Sequence, residues 1–197
     1  MPRAWPTCWP EDALVLRYLP GPLRRGILWP TVLAASAGLT ACAPSLDWRE
    51  VRVGAAESVA LFPCKPAAHA RELPLAGQQV KLTLHACQAG DATWGLAWAD
   101  VGDPGRVTDA LKALQEGARV NLSDAKLQAR AYSVKGQTPH PASGRWNLEG
   151  RYPDGKPVSG QVAVFSRGTV VFQATVLGVA QASEAADTYF NALRFGP

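Results

Sequence analysis

Charge is scarce in this chain and never clustered. Lys, Arg, Asp and Glu make up 18% of the residues, and no basic run follows Arg24-Arg25. A nucleic-acid footprint needs Lys and Arg gathered on one surface to collect phosphates, so no nucleic-acid partner is expected. Histidine is scarcer still, with three residues: His69, His85 and His140. The sequence holds no Gly-x-Ser-x-Gly, no Walker loop and no dinucleotide fingerprint. Those motifs position a nucleophile or cradle phosphates, and without them no catalytic residue is assigned and no cofactor is expected. Internal repeats and low-complexity stretches are also lacking.

What is present is enough for a folded domain. Apolar residues make up 47% of the chain, a folding composition rather than a disordered one. The formal charge of +4 overstates the domain's basicity. Arg3, Arg17, Arg24, Arg25, Glu11 and Asp12 all precede Cys42, and removing them leaves 16 basic against 14 acidic residues.

Three features stand in order ahead of Cys42. Arg24 and Arg25 form a positive flank, Gly26 to Leu39 is an uncharged run of 14 residues, and Leu39-Thr40-Ala41-Cys42 follows. A positive flank before about 7–15 apolar residues is the pattern of an export signal. The run falls short of the about 20 apolar residues that span a bilayer, and Pro30 weakens a helix within it. The last four residues resemble the lipobox of bacterial lipoproteins: an aliphatic residue, two small ones, then the cysteine that receives the lipid. This resemblance covers residues 23–42. It implies a bacterial cell-envelope protein, cleaved before Cys42, anchored to the membrane by lipid on Cys42, with its domain in the periplasm. The alternative is an uncleaved single-pass anchor. Arg24-Arg25-Gly26-Ile27-Leu28 is also similar to a twin-arginine signal, with Leu23 where that signal carries Ser or Thr. Residues 1–22 hold Pro2, Pro6, Pro10, Pro20 and Pro22 and do not read as an export flank. Translation is expected to begin later, at a codon now read as Val15, Leu19 or Leu23. The expected organisation is an extension over 1–22, a signal peptide over 23–41, a lipidated tether over 42–50 and one domain over 51–197.

Past the tether, apolar and polar residues alternate at the period of a strand. Val51 and Val53 alternate with Glu50 and Arg52, and Val59 and Leu61 predict a strand ending at Pro63. Val80, Leu82 and Leu84 alternate with Lys81, Thr83 and His85, and Gly90-Asp91 predicts a turn. Trp94, Leu96 and Trp98 then share one face, with Gly95, Ala97 and Ala99 opposite. This reads as a hairpin buried on one face. Asp103 as N-cap and Pro104 behind it open a helix, with Val107, Ala110, Leu111, Leu114 and Ala118 as its apolar stripe. Further on, Trp146, Leu148 and Tyr152 alternate with Arg145, Asn147, Glu149 and Arg151. Pro153-Asp154-Gly155 turns the chain, Val158, Val162 and Val164 continue it, and Arg167-Gly168 turns it again into Val170 to Leu177. Ser183 caps a last helix with the stripe Ala186, Tyr189, Phe190 and Leu193. Strands, helix, antiparallel meander, helix: this order predicts an α+β fold with helices packed on an antiparallel sheet.

The run Val59-Ala60-Leu61-Phe62-Pro63-Cys64-Lys65-Pro66 resembles the start of PsbP-like domains, an aliphatic residue followed by Phe-Pro-x-x-Pro. Ala185 to Phe195 is similar to that family's terminal helix. The resemblance covers most of 51–197 and implies an α/β/α sandwich that acts by binding or assembly. It supplies no catalytic residues, and Cys64 stands where the family carries a small residue.

With Cys42 assigned to lipid, Cys64 and Cys87 remain as an even pair. An exported protein meets an oxidising compartment, so a Cys64–Cys87 disulfide is expected. Cys64, His69, His85 and Cys87 are also zinc-ligand types, and a metal site is the alternative. His140, in Thr138-Pro139-His140-Pro141, reads as a solvated loop histidine. Asp100 and Asp103 read as capping residues, with a cation site as the sharper alternative. Trp94 and Trp98 read as core, with a pocket lining as the alternative. The leading expectation is a non-enzymatic envelope lipoprotein whose domain binds an envelope protein or component. The rival is a small periplasmic hydrolase or metal-dependent enzyme using His69, His85 or His140. The lipobox match yields a direct prediction. Cys42→Ser abolishes palmitate labelling and releases or mislocalises the protein, as read by labelling and fractionation; unchanged labelling contradicts the assignment.

Overall fold

The computed structural model describes residues 46–54, 56–178 and 183–196, so Leu39, Thr40, Ala41 and Cys42 lie outside the described residues. The described chain runs through β1 (Arg49–Val53), β2 (Ser58–Phe62), β3 (Ala67–Leu75), β4 (Gln78–Ala89) and β5 (Ala92–Asp100). A 3₁₀ turn over Pro104–Arg106 leads into α1 (Val107–Val120). Then come β6 (Ser123–Arg130), β7 (Gly144–Arg151), β8 (Pro157–Arg167), β9 (Val170–Leu177), α2 (Glu184–Ala192) and the short β10 (Arg194–Phe195). The fold is α+β, with two antiparallel sheets: β3-β4-β5-β9-β8-β7-β6 and β1-β2-β10.

Helix α1 packs on one face of the large sheet and α2 with the small sheet on the other. Under α1 lie Val80, Leu82, Ala99, Val164 and Val171. Against α2 and the small sheet lie Trp94, Leu96, Phe165, Phe172 and Val176. These two sets come from alternating positions of the same strands, as the strand period requires. The expected hairpin with one buried face is therefore corrected. β5 is an interior strand buried on both sides, because Gly95, Ala97 and Ala99 lie on the α1 face while Trp94 and Leu96 fill the α2 face.

Three strands escape the alternation pattern. β3 is an edge strand whose first six residues are exposed, so no apolar period marks it. Arg71, Glu72 and Pro74 lie along that edge, and charge and proline there discourage pairing with other chains. Its two-residue loop to β4 is Ala76-Gly77, both at positive φ (50° and 77°), the geometry of a primed hairpin turn without its usual Asn or Asp. β6 is the other edge, and β10 has only two residues. The facing of β2 is also corrected. Ser58, Ala60 and Phe62 point inward, and Val59 and Leu61 are half-buried. Phe62 decides this, because its ring meets Tyr189 of α2 edge-on with centroids 5.5 Å apart.

The domain starts earlier than the 42–50 tether allows. The Asp47 N–H donates to the Pro63 carbonyl at 2.8 Å, and Trp48 meets Trp94 edge-on at 6.0 Å. Burying an indole offsets the entropy of ordering that stretch.

Arg145 needs a larger correction. Its place in the β7 alternation suggests solvent, yet it is 4% exposed. Its Nε donates to Gln161 Oε1 at 2.7 Å and its Nη2 to Asp187 Oδ1 at 2.6 Å. The guanidinium lies over the Phe190 ring, 4.1 Å from its centroid. Burial lowers the Arg145 pKa from its ordinary value, and the Asp187 carboxylate opposes that shift. The reason for the burial is the cover: α2 lies across this end of β7 and brings its own carboxylate. Beside it, Tyr132 Oη donates to the Phe190 carbonyl at 2.8 Å. Ser183 caps α2 by accepting from the Ala186 N–H at 3.3 Å, as the sequence predicts. Ala186, Tyr189, Phe190 and Leu193 are all buried, as expected. Phe190→Ala, at a site 1% exposed, therefore lowers the unfolding free energy by about 3–5 kcal/mol. Chemical denaturation checks this, and a loss within experimental error contradicts the packing of α2.

Candidate functional site

Helix α1 has 14 residues and is about 21 Å long at 1.5 Å per residue. Seven strands about 4.8 Å apart make a sheet about 29 Å wide. Among the described residues, α1 is the helix that packs on this face, and the face is not fully covered beside its last turn. At the C-terminal end of α1 the open part forms a cleft of about 290 Å³.

Its floor follows from the register. Leu84 lies opposite Ala97, and Ala97 opposite Gln173; one row along, Ala86 lies opposite Gly95 and Gly95 opposite Thr175. Small side chains at Ala86, Gly95 and Ala97 set the floor low between Leu84 and Leu177. A Cβ added at Gly95 would meet Leu84 Cδ1 at 3.4 Å, an ordinary van der Waals contact, so a small side chain is tolerated there but a large one would fill the cleft. From the other face, Tyr189 Oη donates to the Gly95 carbonyl at 2.8 Å. Burial raises the Tyr189 pKa, which keeps the hydroxyl a donor. The floor is thus fixed from behind by α2.

The walls differ from end to end. Ala118, Asn121 and Leu122, at the end of α1, line one side together with Leu148 of β7. Arg71 of β3 stands at the opposite edge and is the one charged residue in the lining. Leu84 and Val120 are the exposed large hydrophobic residues of the described chain, at 37% and 61%. Leu84 lines the cleft, and Val120 directly precedes Asn121 and Leu122. Exposed apolar surface gathered at one concave place is the usual mark of a binding site.

The sequence candidates fall elsewhere. Cys64 and Cys87 form a disulfide with Cα atoms 6.0 Å apart, as expected. It joins the segment after β2 to β4, and so ties the small sheet's layer to the large sheet. The zinc alternative fails on geometry. His85 pairs with Leu96 on the α2 face, whereas His69 pairs with Leu84 on the α1 face. Both sulfurs are in the disulfide, and no group of three or more metal-ligand side chains occurs among the described residues. Burial lowers the His85 pKa.

His140 is not a free loop residue. Its Nδ1 accepts from the Ala142 N–H at 3.1 Å, and its Nε2 lies 3.1 Å from Thr108 Oγ1. With Nδ1 accepting, the neutral ring carries its proton on Nε2 and donates to Thr108. The histidine pins its loop to the first turn of α1. The structure does not bring the three histidines together. The row His69, Leu84, Ala97, Gln173, Val164, Gly144 puts the start of β7, just after the His140 loop, five strands from His69. Asp100 Oδ1 accepts from the Gly102 N–H, and Asp103 Oδ1 from the Gly105 N–H, each at 2.8 Å. Both act as caps. Trp94 is core, on the face opposite the cleft. Trp98 shares that face, and a Cβ at Gly54 (φ +38°) would sit 2.2 Å from its Cζ2, so the β1–β2 turn closes over the indole. Neither tryptophan lines the cleft.

The cleft residues themselves were not singled out by sequence. The usable signal was the small set Gly95, Ala97 and Ala99 on a strand whose other face carries tryptophans. Comparisons with protein families, curated proteins and solved structures found no match to this chain. The disulfide gives a testable consequence. The double variant Cys64→Ala/Cys87→Ala is less stable by about 3 kcal/mol, while a chelator leaves the unfolding midpoint of the natural chain unchanged. Two free thiols in protein isolated without reductant, or a chelator-sensitive midpoint, would contradict this.

Proposed function

We propose that this chain is a cell-envelope lipoprotein, held to the membrane by lipid on Cys42, whose domain is a non-enzymatic module that binds an apolar ligand in the cleft beside the end of α1. The cleft carries the proposal: the apolar side chains of Leu82, Leu122, Leu148 and Leu177, a floor of small residues and the exposed Leu84 meet in one place. The Cys64–Cys87 disulfide supports residence in an oxidising compartment. Trp48, near the start of the described residues, packs on the α2 face, opposite the cleft.

The PsbP-like reading draws support from a contact between its two motif segments. Phe62 of the Phe-Pro start and Tyr189 of the terminal helix touch edge-on. A helix on one face and a helix with a small sheet on the other suit its layered plan. The hydrolase reading lacks such support, because His69 and His85 lie on opposite faces of the sheet and His140 is held by Thr108 and Ala142.

Nile red, an uncharged probe that brightens in apolar surroundings, tests the cleft. The purified domain binds it saturably. Gly95→Leu, or Thr175→Leu should the first variant not fold, abolishes that binding while the far-ultraviolet spectrum stays unchanged. Equal binding by the natural chain and a folded variant, or no saturable binding at all, overturns the reading.

A further inference from the structure

We infer that the occupant of this cleft is a single-chain carboxylate, a fatty acid of medium length, with its carboxylate on Arg71 and its methyl end at Leu177. This rests on the apolar-ligand reading of the same cleft. Three observations point to that chemistry.

The first is charge. The lining holds one cation, Arg71, and no carboxylate. Arg71 takes part in none of the ion pairs among the described residues. Neighbouring Glu72 points to the other face, since successive strand residues alternate. A guanidinium presents paired N–H donors that match a carboxylate's two oxygens.

The second is polarity along the cleft. The side away from Arg71 is formed by the C-terminus of α1, where Asn121 follows the last turn. Helix C-termini carry partial negative charge and disfavour anions. An anionic head is therefore drawn to the β3 edge and repelled from the helix end, which fixes the direction of the chain.

The third is size. From Arg71 on β3 to Leu177 on β9 is three strand spacings, about 14 Å. The volume of about 290 Å³ lies at the lower bound of small-molecule sites, which run from about 300 to 1,000 Å³. Taking about 30 Å³, the liquid share of one water, as the size of one heavy-atom group, the cleft takes on the order of ten such groups. One chain of medium length fits; a two-chain phospholipid does not.

Calorimetric titration with three ligands of equal chain length separates the possibilities: decanoate, decanol and decylammonium, each below its aggregation limit. The natural chain binds decanoate about tenfold tighter than decanol, as one charge-assisted pair provides, and decylammonium most weakly. Added salt narrows the gap between acid and alcohol. Arg71→Gln removes the preference for decanoate and leaves decanol binding unchanged, and Arg71→Lys restores part of it. Arg71 is exposed, so both variants fold. Equal affinity for decanoate and decanol in the natural chain overturns the carboxylate assignment but leaves an apolar cleft, as does an unchanged preference in Arg71→Gln. Tight decanol with weak decanoate marks a neutral occupant, such as a partner protein's apolar side chain, and also overturns it. Failure of all three to bind overturns the cleft reading itself.

Discussion

Among the described residues, one 14-residue helix covers one face of a seven-stranded sheet, and a cleft lies beside its last turn. On the opposite face, α2 and the three-stranded sheet share the cover. The unequal covers decide the side chains beneath. Where cover is thick, β5, β8 and β9 carry Trp94, Phe165 and Phe172, fully buried. On the α1 face, at the cleft, the same β5 carries the small Gly95 and Ala97. Large apolar residues there would leave a broad exposed patch, and small ones leave a cleft instead. The candidate site thus lies where the end of α1 meets a row of small residues on the sheet.

The well-covered face also holds the cleft in shape. Tyr189 reaches from α2 to the Gly95 carbonyl at the cleft floor. α2 is itself fixed by Arg145, which binds Asp187 of the helix and Gln161 of the sheet at once. A buried charge of this kind adds little net stability, since desolvation offsets most of the attraction. Its contribution is to select one position of α2, because any shift strands a guanidinium in the core. The disulfide adds the second constraint by tying the small sheet's layer to β4. A rigid back to a shallow, half-open cleft favours binding with little reorganisation.

Much of the scaffold was legible in the sequence, for local reasons. Gly90-Asp91, Pro153-Asp154-Gly155 and Arg167-Gly168 announce turns by their own chemistry, and the stripes of both helices follow from spacing. The Cys64–Cys87 pairing followed from counting the cysteines left once Cys42 was read as a lipid site. What stayed hidden depends on neighbours distant in sequence. β3 and β6 lie at sheet edges, where exposure erases the apolar period. Ala76-Gly77 turns tightly without the residues that usually mark it. Arg145 sits in a polar position of its strand, and only the arrival of α2, 42 residues on, makes that position interior. The cleft is the least local feature. Its lining spans Arg71 to Leu177, and it exists only because α1 ends where it does. The low floor at Gly95 and Ala97 was visible as a row of small residues, but such a row also suits close helix packing, as at Ala99.

The central claim is that the uncovered part of the α1 face is where this domain receives its ligand. Amide chemical-shift mapping during titration with decanol tests that most directly, because it reports position without altering a residue. The account predicts that the largest shifts fall on Ala86, Gly95, Thr175 and Asn121, around the cleft, and that the amides of α2 change little. Shifts centred on α2 and the small sheet, or no localised shifts at saturation, would contradict it.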